Sequence, residues 1–401
     1  MLLPACKLGI IRLAFFFIGI WGAPTSLTAQ KYEYRVTPQA IPILYGIASN
    51  PILKIELQNG NLAVNRAEKI RLKLSATALQ WCAGIQVFQT PDSVFSVTYP
   101  CGTLVPVSKN PEIPLSIAPD SRSSCLWISF LPKTGMPAGL QLDIQATQLT
   151  EKGGKTHKIN QGTALQQFFT GNVVQKGGSN GVHTFRIPGL ATTKNGTLIA
   201  VYDIRYTNSG DLPGNIDVGM SRSTDGGNTW QPMQVIMDMG APHENNGVGD
   251  PAVLYDSSTH TLWVAALWSK GNRSIAGSKP GLSPDTTGQL VMVKSTDDGQ
   301  TWSKPVSITP AVKKPGWHLL FNGPGAGIVM QNGTLVFAAQ YWDENRMPHA
   351  TLLYSHNKGA TWEPCPIGPL ANTTEAQVAE TSPGTLMLNM RDNRGGYRSI
   401  A

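Results

Sequence analysis

Ser223-Thr224-Asp225-Gly226-Gly227-Asn228-Thr229-Trp230 reads as a tight turn, and the phrase occurs three times. Ser295-Thr296-Asp297-Asp298-Gly299-Gln300-Thr301-Trp302 and Ser355-His356-Asn357-Lys358-Gly359-Ala360-Thr361-Trp362 repeat it, giving the pattern S-x-[DN]-x-G-x-T-W. In each copy the Asp or Asn side chain caps its own backbone, the Gly supplies a positive φ, and the Trp packs under the turn. Copies that start at residues 223, 295 and 355 mark a unit of blade size, not a short solenoid repeat.

A second phrase runs in phase with the first. Asn195-Gly196-Thr197-Leu198-Ile199-Ala200-Val201, Asn332-Gly333-Thr334-Leu335-Val336-Phe337-Ala338 and Pro383-Gly384-Thr385-Leu386-Met387-Leu388-Asn389 each read as a turn entering an apolar strand. Thr259-His260-Thr261-Leu262-Trp263-Val264-Ala265 is a looser fourth copy. The repeating unit is therefore strand, connection, strand, corner, and its radial repetition is a β-propeller. The unit that opens at Gly384 has begun, without its corner, when the sequence reaches Ala401.

Composition narrows the classes. Gly makes up 41 of the 401 residues, as a turn-rich chain requires. The formal charge is +7, and +5 once Lys7 and Arg12 of the leader are set aside. That charge is too mild and too scattered for nucleic acid, and is compatible with an anionic small-molecule substrate. Outside the leader lie Cys82, Cys101, Cys125 and Cys365, with no metal-ligand spacing among them. Buried thiols or one disulfide in the first third are the readings left open.

Residues 1–30 read as a secretory signal peptide. Lys7 and Arg12 give a basic start, Leu13 to Trp21 are nearly all apolar, and Leu27-Thr28-Ala29 before Gln30 is a small-residue cleavage site. The apolar run is too short for a comfortable membrane span, so the expectation is export, to the periplasm, the medium or the cell surface, with no transmembrane segment after leader removal. Residues 31–165 alternate with period two at Leu53, Ile55 and Leu57, at Ile70, Leu72 and Leu74, and at Leu140, Leu142 and Ile144. This predicts an antiparallel β-sandwich, either carbohydrate-binding or a structural cap. Trp81 and Trp127 are its aromatic candidates for sugar stacking, against the competing role of core packing. Residues 166–401 hold every repeat, so the fold class is all-β, a sandwich followed by a propeller.

Just before the first turn phrase stands His183-Thr184-Phe185-Arg186-Ile187-Pro188-Gly189. Phe185-Arg186-Ile187-Pro188 followed by several S-x-D-x-G-x-T-W boxes resembles the bacterial-type sialidase (neuraminidase) family, whose hallmarks are the FRIP motif and the Asp box, or BNR repeat. The resemblance covers residues 166–401. It implies a six-bladed propeller, of which about four blades are present here. It also implies an exo-α-sialidase that hydrolyses terminal sialic acid from glycoproteins, glycolipids and oligosaccharides, with retention and with no metal or organic cofactor.

The chemistry accounts for the residue types. Sialic acid carries a carboxylate on its anomeric carbon, and a planar guanidinium fork matches that group bidentately. By resemblance Arg186 and Arg391, the latter in Asn389-Met390-Arg391-Asp392, hold this carboxylate, and Arg205 in Tyr202-Asp203-Ile204-Arg205 lines the pocket. Asp211, 25 residues after Arg186, matches the general acid/base, with Asp203 as its competitor. Asp250 resembles the acceptor of a sugar hydroxyl, and Trp268 is either the wall facing the N-acetyl group or ordinary blade core. Glu375 matches the residue that polarises a Tyr nucleophile, with Glu380 as the alternative register. A neutral phenol suits this substrate because its carboxylate would repel a carboxylate nucleophile.

In the family a third Arg and the nucleophilic Tyr follow the second Arg, on later blades. Tyr206 and Tyr341 precede Arg391, and Tyr397 is too close to it to match. The expectation is that the Tyr lies beyond Ala401 and that this stretch alone folds incompletely and turns over little substrate. The competing functional class is a non-catalytic propeller that binds sialylated glycans. A transferase or intramolecular lyase on the same scaffold is a third reading.

Overall fold

The computed structural model describes residues 34–57, 67–117, 125–159, 166–271, 273–365, 368–395 and 398–400. The leader at 1–30 and Tyr397 lie outside the described residues.

The N-terminal part is two sheets around one core. Tyr34–Pro38, Asn50–Leu57, Cys125–Pro132, Cys82–Thr90 and Pro100–Leu104 form one, in that order. Ile43–Tyr45, Gln166–Asn172, Gln141–Glu151, Ala67–Leu74 and Glu112–Pro114 form the other, with Thr156–Lys158 alongside Gln141–Glu151. Leu53, Ile55, Ile70, Leu72, Leu74, Leu142 and Ile144 are buried between them, where the alternation aims them. The strand over Gln166–Asn172 pairs with Gln141–Glu151, so the sandwich continues past residue 165. Trp127 is buried beside Phe88 and Phe95, its Nε1 donating to Thr90 Oγ1 at 2.9 Å, and Trp81 packs against the core. Both rings are packing residues. Cys82 and Cys101 are buried free thiols, and Cys125 is buried as well.

Four sheets follow, arranged as propeller blades. The first runs Thr184–Thr192, Leu198–Arg205, Ile216–Ser223 and Gln234–Met237, in chain order from hub to rim. The second runs Gly325–Ala326, Val248–Asp256, Thr261–Trp268, Gln289–Ser295 and Val306–Ser307, with the short Gly325–Ala326 strand parallel to Val248–Asp256. The third has Leu319–Asn322 innermost, then Leu335–Trp342, Pro348–Ser355 and Glu363–Pro364. The fourth holds Thr373–Ser382, Thr385–Asp392 and Arg398–Ile400. Apolar side chains from facing blades close the gaps between them. Val201 and Val218 meet Val253 and Val264 between the first two blades, Trp263 and Leu290 meet Phe337 and Trp362 between the next two, and Val336 meets Val378 and Met390 after that.

The corner phrases fold as their residues require. Asp225 Oδ1 accepts from Ser223 Oγ (2.8 Å) and Thr229 N (2.9 Å), and Ser223 Oγ accepts from Gly227 N (2.9 Å). Hydrogen bonds from the Thr229 hydroxyl and N–H and from Ser223 hold the Asp225 carboxyl down to about 2. In the third copy the polarity at the Thr reverses, because Asn357 Nδ2 donates to Thr361 Oγ1 at 2.8 Å. The residue before the Gly also has φ > 0, and in the second and third copies its side chain reaches the blade before. Asp298 Oδ2 takes Thr197 Oγ1 (2.6 Å) and Arg222 Nη2 (2.8 Å), and Lys358 Nζ lies 3.7 Å from Asp256.

Gly359 illustrates why the box demands Gly. Its φ is +82°, and a Cβ there would sit 2.2 Å from Trp263 Cζ2. Gly359→Ala is expected to lose about 2–4 kcal/mol of stability, from strain and from forced movement of a buried indole. Gly384→Ala, with φ +77° and nothing within 4 Å, is expected to lose only about 1 kcal/mol. Urea unfolding of both variants tests this, and equal losses would defeat the packing argument.

Candidate active site

The innermost strands break their ladders at one level. Pairing in the first blade shifts between Arg186 and Gly189, in the second between Gly249 and Ala252, and in the fourth between Thr373 and Ala376. The freed residues are Ile187-Pro188, Asp250-Pro251 and Thr374-Glu375. Pro fits there because a bulge does not use its missing N–H, and the bulge turns side chains out of the sheet toward the hub. Ile187 and Asp250 take left-handed backbone, with φ of 55° and 56°.

Asp211 is the hinge of the first blade's contribution. Its side chain is 68% exposed, yet its Oδ1 is gripped by Arg205 Nη1 (2.7 Å) and Arg186 Nη1 (3.0 Å). Arg205 also donates to the carbonyls of Ser209 and Gly210, both at 2.8 Å. Leu212 is buried beneath, against Ile216, Leu267, Leu319 and Phe321. The loop that carries Asp211 is thus fastened at both its polar and its apolar ends.

Arg205 is itself only 1% exposed and is neutralised by Asp203, equally buried, whose Oδ2 accepts from Nη2 (2.7 Å) and Nε (3.1 Å). Asp203 Oδ1 accepts the peptide N–H of Asp250 at 2.8 Å. Asp203 therefore supports two site residues and faces no solvent; burial raises its carboxyl while Arg205 draws it back. From the fourth blade, Glu375 Oε2 meets Arg391 Nη1 at 3.1 Å, with Arg391 exposed and Glu375 half-buried. Burial first, then the neighbouring carboxylates Asp203 and Glu375, push the Asp250 carboxyl up to about 7. Arg186, Arg205, Asp211, Asp250, Glu375 and Arg391 are thus drawn to one hub mouth.

Trp268 is placed differently. It is half-buried against the core between the first two blades, and its Nε1 has no hydrogen-bond partner. Glu380 stands at the other end of its strand, accepting from the N–H groups of Gln331 (2.7 Å) and Gly384 (2.9 Å). Tyr206 donates to Asp217 at 3.0 Å, and Tyr341 stacks between Trp317 and His349, so neither serves Glu375. Asn322, at the end of the third blade's inner strand, is fully buried, and its Nδ2 donates to the Asp250 carbonyl at 2.7 Å. Sequence reasoning passed over it, although Asn322-Gly323-Pro324 echoes Gly249-Asp250-Pro251 and Arg186-Ile187-Pro188.

A raised carboxyl has a measurable consequence. With its folded pKa near 7 and an ordinary value of 3.8, Asp250 favours folding fully below about pH 4, and that contribution is lost as pH rises through 7. Asp250→Asn imitates the protonated form. It is expected to be more stable than the parent above pH 7, by on the order of 2 kcal/mol, and equal to it near pH 4. Thermal unfolding across pH 4–8 checks the sign; a variant that is less stable at pH 8 would refute it.

Residues 187–400 match the BNR repeat-like domain family. A sialidase of Bacteroides fragilis is 45% identical over 284 residues, which is 69% of this chain and 52% of that protein. A sialidase of Micromonospora viridifaciens is 35% identical over 240 residues, covering 56% of this chain and 35% of that protein. The chain thus spans about half or less of these curated relatives. The solved structure of the Hadza microbial sialidase Hz136 superposes with a TM-score of 0.78 at 34% identity, covering 91% of this chain and 77% of that one. With matching repeats, matching fold and this identity, the chain belongs to the bacterial-type sialidase family with BNR repeats.

Proposed function

We propose that the protein is a retaining exo-α-sialidase acting on sialylated glycoconjugates. The observation that carries this reading is the pairing of each hub arginine with a carboxylate suited to catalysis, Arg186 with Asp211 and Arg391 with Glu375. Both guanidinium groups are exposed, and each lends one Nη to its carboxylate, leaving other N–H donors for an incoming anion. The substrate carboxylate would compete with Asp211 for Arg186 and let the Asp211 side chain turn to the leaving oxygen. Asp211 would then protonate that oxygen and later deprotonate water. Asp250 would accept a hydrogen bond from a ring hydroxyl. Glu375 would take the proton of a Tyr nucleophile.

A sialoglycan-binding propeller without catalysis needs the arginines and Asp250 but has no use for Asp211 or Glu375. Their placement against the two arginines favours the enzyme. Export follows from the leader reading, with Lys7 and Arg12 ahead of the apolar run Leu13 to Trp21. The sandwich would serve as a cap or as a second glycan contact. Release of sialic acid from an α-linked sialoside, followed by proton NMR, tests the function. The α-anomer should appear first; the β-anomer first, or no release together with no sialic acid binding, would overturn it.

A further inference from the structure

Asp250 is gripped from both sides by side chains of other blades. Its N–H donates to Asp203 Oδ1 in the first blade (2.8 Å), and its carbonyl accepts from Asn322 Nδ2 in the third (2.7 Å). The gripped residue has φ 56°, an uncommon backbone for a residue with a Cβ, and Pro251 follows it. Both holders are out of solvent, Asp203 at 1% and Asn322 at 0% exposure.

Asn322 bears a cost that points to its purpose. Its Oδ1 is buried with no hydrogen-bond partner, while its Nδ2 serves the carbonyls of Asp250 and Gly323. An aliphatic residue of the same volume would leave no orphan acceptor there, so packing alone does not call for an amide. What the amide adds is a donor for the Asp250 carbonyl. The next residue extends the contact to the fourth blade, since a Cβ on Gly323 would lie 2.7 Å from the Ala376 carbonyl.

We propose that Asn322 and Asp203 are positioning residues that fix the Asp250 peptide, so that its carboxylate is aimed at a hydroxyl of the bound sugar before the sugar arrives. The inference rests on the reading of the hub as a sialic acid site and adds the device that presets its hydroxyl acceptor. Preset geometry matters because small displacements of a recognising group sharply weaken the interaction it makes.

The test is a double-mutant cycle on the full chain, with 2,3-unsaturated sialic acid as the probe and calorimetry as the readout. Asn322→Leu, which keeps the heavy-atom count and branching and removes the donor, should weaken binding about tenfold. In an Asp250→Ala background the same change should add less than about twofold, because the group it positions is gone. A merely structural role for Asn322 gives the same penalty in both backgrounds, and that result overturns the proposal, as does parental affinity in Asn322→Leu. Asn322→Ala serves if the Leu variant does not fold. A ligand-free crystal structure of Asn322→Leu supplies a readout independent of the substrate. Asp250 displaced from its left-handed backbone, or its carboxylate re-aimed, supports the clamp, and an unmoved Asp250 refutes it. If the parent protein fails to bind the probe, the functional reading falls, while the crystal structure still decides the clamp.

Discussion

Arg205→Ala should cost about 3–5 kcal/mol of stability and more than about a hundredfold in kcat/KM. The stability loss follows from burial. Arg205 and Asp203 are both about 1% exposed, so removing the cation leaves a carboxylate in the interior with its charge unmatched. That carboxylate must then take up a proton or draw in water, and either disturbs the N–H contact it offers Asp250. The activity loss has a separate origin. Three of the contacts that tether the acid loop, to Ser209 O, Gly210 O and Asp211 Oδ1, end on one guanidinium nitrogen. Arg205→Lys should recover part of the stability and little of the activity, because an ammonium cannot span Asp203 and the loop together. Urea unfolding and steady-state kinetics separate the two effects. A folded Arg205→Ala protein with parental kcat/KM would show that the loop does not need its tether.

Asp211→Asn should lower kcat/KM on natural sialosides by about 10²–10⁴-fold, with a much smaller loss on aryl sialosides whose leaving group needs no protonation. The contrast between substrates is the signature of a general acid; a uniform loss would indicate a binding role. The amide keeps the shape of the side chain, and Arg186 and Arg205 can still donate to its oxygen, so stability should change little. Binding of the unsaturated sialic acid should survive for the same reason. Equal losses on both substrate classes would remove Asp211 from the acid/base role and return attention to the remaining hub carboxylates.

Much of the architecture is legible in the amino-acid order. Three corner phrases with Gly at fixed positions announce blades, because a turn with two consecutive positive φ values admits few residues and they recur visibly. Period-two alternation at Ile70, Leu72 and Leu74 finds the sandwich core because side chains on a strand alternate by necessity. Arg186, Asp211, Glu375 and Arg391 were found through motifs whose chemistry explains the residue type. Asn322 and the second role of Asp203 were not. Their function is to hold a backbone group of a residue 72 and 47 positions away, and nothing local in the sequence records that. Trp268 shows the converse, since an aromatic near a site reads alike whether it faces ligand or core.

Turn chemistry, strand alternation and the type of each charged group are properties of neighbouring residues, and the amino-acid order determined them unaided. Which carboxylate is buried and which is exposed was decided only when the blades came together. Asp203 and Asp211 stand eight positions apart and share an arginine, but one is shut in by the second blade and the other opens on the hub. Solvation sets what a carboxylate can do, and solvation is a property of the packed ring.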